Sequence, residues 1–211
     1  TILNSGLYVI GGTVTVGAGS NVKIRDSADG FNLSAAATLT VAGTETKPVI
    51  FTSQRDDTAG GDTNNDSDET LPSESNYNRL VVNRGSSHTT MDWVQIKYVT
   101  TAAQITSGEA TLTNAQISSA TDGIIAAGTA TVTFRGSFAA ISDRAVIACN
   151  WGAACAVDAT STSWGSDDGP LPAEGTALIC GAVTYSPWLT STGTAGDETS
   201  PVALNCNATN S

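Results

Sequence analysis

The stretch ATLTNAQISSATDGIIAAGTATVTFRGSFAAISDRAVIA, residues 110–148, decides the fold. Within it Asp122-Gly123-Ile124-Ile125 recurs as Arg144-Ala145-Val146-Ile147, and Ala110-Thr111-Leu112-Thr113 recurs as Ala130-Thr131-Val132-Thr133. A spacing of roughly 20 residues falls in the range of solenoid repeats. Inward aliphatics and small outward residues returning at that interval are what one coil of a parallel β-helix needs, because a coil buries its apolar face only by stacking on its neighbours. An amphipathic helix over Ala120 to Ala127 is the local competitor, and Gly123, Gly128 and the Ile124-Ile125 pair argue against it. A β-sandwich is the global competitor; it predicts alternation but not recurring phrases.

Outward from this stretch the same grammar continues. Val9-Ile10, Thr13 to Val16, Val22 to Ile24, Thr38 to Val41, Val49 to Thr52, Leu80 to Val82, Val94 to Ile96 and Thr131 to Phe134 are short β-branched runs, punctuated by Gly, Asn, Asp and Ser. No stretch sustains a helical period. The expectation is an all-β chain in which residues 1–211 form a single solenoid domain, the β-sandwich being the alternative.

Composition narrows the partners. The chain has 211 residues, 40% of them hydrophobic, enough for one sizeable core. Its net charge of −11, from 20 acids against 9 bases, is the wrong sign for nucleic acid or an anionic membrane surface. Only 14% of residues are charged, and the abundance of Thr, Ser, Ala and Gly suits an extracellular β-protein. Cys149, Cys155, Cys180 and Cys206 all fall late in the chain, without the Cys-x-x-Cys pairs or nearby histidines of a metal site. They read as two disulfides with three connectivities open, Cys149–Cys155 with Cys180–Cys206 being the preferred pairing, and they imply an oxidising compartment. No signal peptide, lipid-anchor motif or membrane-spanning run is visible, so the chain is expected to be a mature or excised form.

The segment PVIFTSQRDDTAGGDTNNDSDET, residues 48–70, joins a strand to an acidic insertion loop spanning about 54–76. Asp62, Asn64, Asp66 and Asp68 place oxygen donors at alternate positions, a pattern that suits one hard cation such as calcium, and Asp56, Asp57 and Glu69 complete the set if the loop folds back. An EF-hand is not supported, because the glycine of the sharp turn is missing and Glu74 falls one residue late for the closing ligand. A solvated loop whose acids favour solubility is the other reading.

TSWGSDDGP at 162–170, followed by GAVTYSPWL at 181–189, resembles the closing coil of bacterial secreted and cell-surface right-handed parallel β-helix proteins of the pectin-lyase-like kind. Leu39-Thr40-Val41-Ala42-Gly43-Thr44, Pro48 to Ser53 and Gly60 to Asn65 resemble an earlier coil of the same group. Two positions depart from that pattern: Ser163 stands where a second Trp is usual, and Ser67 where a glycine is usual late in the acidic loop. The resemblance implies a right-handed β-helix with a disulfide-stabilised C-terminal cap over about 149–211.

The function expected is a non-enzymatic extracellular structural or adhesive surface module, self-associating into a fibre or belonging to a larger surface protein, with a calcium loop and a glycan as further partner. Thr1 to Val16 begins directly in strand-like sequence without a polar cap, which leaves an edge for another coil. An extracellular polysaccharide lyase or glycoside hydrolase is the alternative, with Arg55 beside Asp56 and Asp57 as its nearest cluster and His88 reading as part of an exposed turn. Ice binding is a lesser alternative. Thr-x-Thr recurs at Thr13/Thr15, Thr38/Thr40, Thr111/Thr113 and Thr131/Thr133, with a gap between Thr40 and Thr111. The aromatics Trp93, Tyr98, Trp151, Trp164, Tyr185 and Trp188 offer rings for sugar stacking, but most lie near the expected cap.

Overall fold

The computed structural model describes residues 1–67, 69–148, 155–170 and 179–196. Among them there is no helix; every element is a strand, and no helix is long and apolar enough to cross a membrane. The first coil holds β1 (Ile2–Leu3), β2 (Leu7–Ile10) and β3 (Thr13–Gly17), and the second holds β4 (Asn21–Ile24), β5 (Asp29–Ser34) and β6 (Thr38–Ala42). β7 (Val49–Ser53), the acidic loop, β8 (Tyr77–Asn83) and the start of β9 (His88–Lys97) form the third. β9 continues through β10 (Val99–Ile105) into β11 (Glu109–Ala126), then β12 (Thr131–Ala148), β13 (Ala156–Asp158), β14 (Ile179–Cys180) and β15 (Val183–Thr184). The hairpin of β16 (Trp188–Leu189) and β17 (Ala195–Gly196) is the one antiparallel pair of strands among the described residues.

Three parallel ladders run along the molecule. The first joins β3, β6, β9, β11, β12, β13 and β15. The second joins β1, β4, β7, β9, β11 and β12, and the third joins β2, β5, β8, β10, β11, β12 and β14. The result is a parallel β-solenoid of about eight turns, matching a right-handed parallel β-helix. β9, β11 and β12 are long because they pass through corners; in the β11–β12 pair the register shifts at Leu112/Ala115 and Ala120/Asp122.

One of the two repeat phrases sits as the sequence suggests. Asp122 lies beside Arg144, Ile124 beside Val146 and Ile125 beside Ile147. The other is displaced by two residues: Thr111 stacks on Thr133, not Thr131, and Leu112 on Phe134. A slip of two preserves inward and outward alternation, so matching the threonines by identity leaves the slip invisible. The coil here is 22 residues, as the pairs Glu109–Thr131 and Asp122–Arg144 both require.

The core is a continuous apolar column inside the ladders, from Val22 and Ile24 to Trp188. Phe134 and Phe138 stack at 4.4 Å, and Trp164 stacks on Phe138 at 5.2 Å, so the aromatic residue of the expected cap continues the interior. Where coils bend, glycine is required for close approach: a Cβ on Gly136 would lie 1.9 Å from the Ala115 carbonyl oxygen. The helix alternative over Ala120 to Ala127 gives way to strand because Gly123 fits beneath the next coil, where a Cβ would meet the Ala145 carbonyl oxygen at 2.3 Å. Cys155 and Cys180 are buried and neither is a free thiol. Cys149 and Cys206, and with them the expected pairing, lie outside the described residues.

Candidate functional site

The acidic loop is anchored by a buried cation that no motif in the sequence marks. Lys23, on β4, is only 2% exposed; its ammonium donates to the Gly61 carbonyl and lies 3.6 Å from Asp57 Oδ1. A buried ammonium needs such partners, because its desolvation is otherwise prohibitive. Asp56 is fully buried and works as a staple: its carboxylate accepts the Thr52 hydroxyl at 2.6 Å, the Thr58 amide at 3.2 Å and the Thr58 hydroxyl. Arg55 turns away from Asp56 and Asp57 to pair with Asp26, Nε to Oδ2 at 2.8 Å. The catalytic cluster suggested by Arg55-Asp56-Asp57 is therefore three separate structural links.

Beyond this anchor the chain curls around Asp62. Its carboxylate accepts the amides of Asn65 at 2.6 Å, Asp66 at 3.3 Å and Ser67 at 3.0 Å. These amides, Ser67's foremost, hold Asp62 below its ordinary range and keep it ionised. Asp66 Oδ2 accepts the Asn64 amide group at 2.7 Å and the Thr70 amide at 3.2 Å, together with the Thr70 hydroxyl. Asp66 Oδ1 and Asn64 Oδ1 are buried and receive no hydrogen bond.

The structure brings three of the expected ligands together: Asp57, Asp62 and Asp66 each offer an oxygen, all within 4.8 Å of one another. Asn64 bonds Asp66 from the edge of the cluster, Asp56 is committed to threonines, and Asp68 lies outside the described residues. Three carboxylates and one ammonium leave the cluster negative. The donors are hard oxygens, suited to calcium or magnesium rather than to a soft metal.

A second feature lies on the first ladder. Thr15, Thr40, Thr90, Thr111 and Thr133 occupy successive rungs of one outward column, continued by Asp158 and Thr184. Thr13, Thr38, His88, Glu109 and Thr131 form the parallel column two residues back. The gap that the sequence suggested between Thr40 and Thr111 is filled by Thr90, separated from Thr40 along the chain by the acidic loop. Thr113, by contrast, leaves the array to bond Asp92 at a corner. His88 is part of β9, not a turn, and its Nδ1 lies 3.3 Å from the Glu109 carboxylate.

A third cluster lies on the outer side of the third ladder, where Asp29, Arg79, Thr101, Asp122 and Arg144 follow one another. Arg79 grips Asp29 through two bonds of 2.9 and 2.8 Å. Asp122 is half-buried, its Oδ1 receives no hydrogen bond, and burial, helped by the nearby Asp143, pushes its pKa up to about 6. Nothing in the local sequence marks Asp122 as unusual, because Asp143 and Arg144, which shape its environment, lie 21 and 22 positions away.

Comparison with protein families, curated proteins and solved structures finds no significant match to this chain. What the fold and the sites define is the class: a parallel β-solenoid with an anchored acidic loop and a threonine-lined face.

Proposed function

We propose that this chain is a non-enzymatic, extracellular structural or adhesive module of the kind found in bacterial secreted and cell-surface β-helix proteins, associating with another copy or a larger surface protein. The observation that supports this most is the open first coil. Among the described residues β1, β2 and β3 each pair on one side only, and Ile2, Leu7, Tyr8 and Ile10 stand exposed there, Ile10 at 83%. Unpaired strand edges beside apolar side chains are templates for further pairing. Light scattering after size exclusion, with and without calcium, tests the reading. Concentration-dependent association that Ile10→Glu weakens supports it; a strictly monomeric wild type at every concentration refutes association between copies.

Within the same reading, the acidic loop is a calcium site held by Asp57, Asp62 and Asp66, with Asn64 bonded to Asp66. The convergence of three carboxylates and the two buried oxygens lacking donors support it. Calorimetric titration with calcium checks it; absence of heat and of any thermal shift refutes it. Two disulfides, Cys149–Cys155 and Cys180–Cys206, and a glycan as adhesive partner belong to the same proposal.

A second reading, ice binding, is favoured by the unbroken threonine column. Rungs about 4.8 Å apart and outward residues about 6.7 Å apart along a strand set methyl and hydroxyl groups on a regular, flat grid that can order water. His88 and Glu109 interrupt the second column with an ion pair. Thermal hysteresis and inhibition of ice recrystallisation, lost in Thr90→Tyr, are the expected results; wild type without either activity removes this reading.

A further inference from the structure

We propose that a shallow groove at the corner between the first and second ladders binds a neutral β-linked glucan chain. This rests on the glycan-partner reading above and gives that partner a site and a chemical class. The groove arises from a difference between successive coils. β9 and β11 each turn the corner through one residue in the left-handed region, Trp93 and Asn114, both at φ +49°, whereas the coil before them turns it through residues 43–48. Within that segment the turn Thr44 to Lys47 is closed by two backbone hydrogen bonds of 3.1 and 3.0 Å, and its four residues are exposed. Gly43 seats the turn against the corner, since a Cβ there would lie 2.2 Å from the Trp93 carbonyl oxygen. Glu45 and Pro48 of this segment, Trp93 and Asn114 of the corner, and Gln95 and Gln116, neighbours in the second ladder, line one recess.

The lining suits a sugar. An indole offers an apolar face to the C–H groups of a pyranose, and a glutamine amide carries both donors and an acceptor, so one amide can bond two neighbouring hydroxyls. Among the described residues neither the Gln95 nor the Gln116 side chain bonds another protein group. The Asn114 amide is fixed at the rim: its nitrogen donates to Asp92 Oδ1 at 2.8 Å, which leaves its oxygen as an acceptor. Glu45 is the one ionisable residue of the lining, and the chain carries −11 overall, so an anionic sugar is disfavoured. In a β-glucan all ring hydroxyls are equatorial; each face gives axial C–H groups to the indole and each edge gives vicinal hydroxyls to the amides. The recess holds about 80 Å³, far below the roughly 300–1,000 Å³ of pockets that enclose a small molecule, and therefore fits the side of a chain lying across it. Trp93 adds a second observation. A bulky residue at positive φ carries backbone strain, and Asn114 shows that the same corner one coil on is turned by a residue that tolerates it. Strain held at a partly exposed ring points to a role for that ring outside the fold.

Affinity electrophoresis of the full chain tests this, in native gels holding chelator and either soluble mixed-linkage β-glucan or polygalacturonate. The expected result is a wild type retarded by the β-glucan and not by polygalacturonate. Binding should be at least about tenfold weaker in Trp93→Asn and in the double variant Gln95→Ala with Gln116→Ala, and close to wild type in Trp93→Phe, which keeps a ring. Asparagine holds the same backbone conformation at position 114, so Trp93→Asn removes the ring and spares the corner. If its circular dichroism departs from wild type, the glutamine variant decides, because Gln116 is exposed and Gln95 half-buried on the outer side. Equal retardation of wild type and both variants by the β-glucan overturns this groove and leaves a glycan partner standing at another place. Retardation by polygalacturonate alone overturns the neutral class and also leaves a glycan partner standing. A wild type retarded by neither polymer overturns the groove.

Discussion

Replacing Lys23 by Met tests how the acidic loop is held. The substitution keeps the length and apolar stem of the side chain but removes the ammonium that donates to Gly61 and lies 3.6 Å from Asp57. Losing one partner of a buried ion pair costs about 3–5 kcal/mol. The Asp57 side chain keeps 15% of its exposure, so the carboxylate is partly hydrated and the expected loss is about 2–4 kcal/mol. For a chain of this size each kcal/mol moves Tm by roughly 2–4 °C, which gives a fall of about 4–16 °C without calcium. The loop should also open to trypsin at Arg55, now held by its pair with Asp26. Calcium reverses the loss if the cluster binds it: a ligand at 100 times its Kd returns about 2.7 kcal/mol, and the ion no longer competes with the ammonium for Asp57. Scanning calorimetry and limited proteolysis, each with calcium or chelator, read both effects. An unchanged Tm together with unchanged cleavage at Arg55 in chelator refutes the anchor.

Asp122 gives stability a pH dependence. Its folded pKa of about 6 exceeds the ordinary 3.8, so its contribution is fully present below pH 3.8 and is lost as pH rises to about 6. For a half-buried carboxylate screened by solvent the loss is about 1–2 kcal/mol, and Asp122→Asn should flatten the denaturation midpoint across that window while raising it at neutral pH. Phe138→Ala removes the middle ring of the Phe134–Phe138–Trp164 stack and should cost about 3–5 kcal/mol by urea denaturation. Gly136→Ala forces a Cβ to within 1.9 Å of the Ala115 oxygen; an expected loss of about 2–4 kcal/mol, read in the same assay, checks the close approach of those coils.

The fold was legible because a solenoid writes its period into the chain. The pairs Asp122–Arg144 and Ile124–Val146 sit where the repeated phrases placed them, and Val49 and Phe51 are the buried apolar residues of β7. β5 was not legible: none of the β-branched runs covers Asp29–Ser34, and its Gly30 sits where a Cβ would lie 2.4 Å from the Leu80 oxygen. The candidate site was legible as a set of acids but not as a geometry. Alternation along Asp62, Asn64, Asp66 and Asp68 suggested one donor ring. The fold brings Asp57, one of the acids expected only if the loop folds back, to Asp62 and Asp66, because Asp62 is turned by three amides of its own loop and Lys23 draws Asp57 in from the neighbouring coil.

That difference between pattern along the chain and pattern across coils bears on function. In a solenoid the surface is written in columns, each rung contributed by a residue about one coil away, and an insertion between coils changes sequence spacing without changing the column. The acidic loop separates Thr40 from Thr90 by 50 positions and leaves them hydrogen-bonded neighbours in one ladder. A threonine face broken in sequence is therefore continuous in space, and a basic residue that looks isolated, Lys23, meets an acid 34 positions later. Insertion loops can accordingly acquire or lose ion-binding chemistry while the face they bypass keeps its register, since the ladders β3–β6–β9 and β4–β7–β9 close above and below the loop. Deleting most of the loop, joining β7 to β8 with a short Gly-containing turn and replacing Lys23 by Met so that no buried ammonium is stranded should remove any calcium response and leave the threonine face and the first coil unchanged. Loss of the latter would show that loop and ladder are energetically one unit.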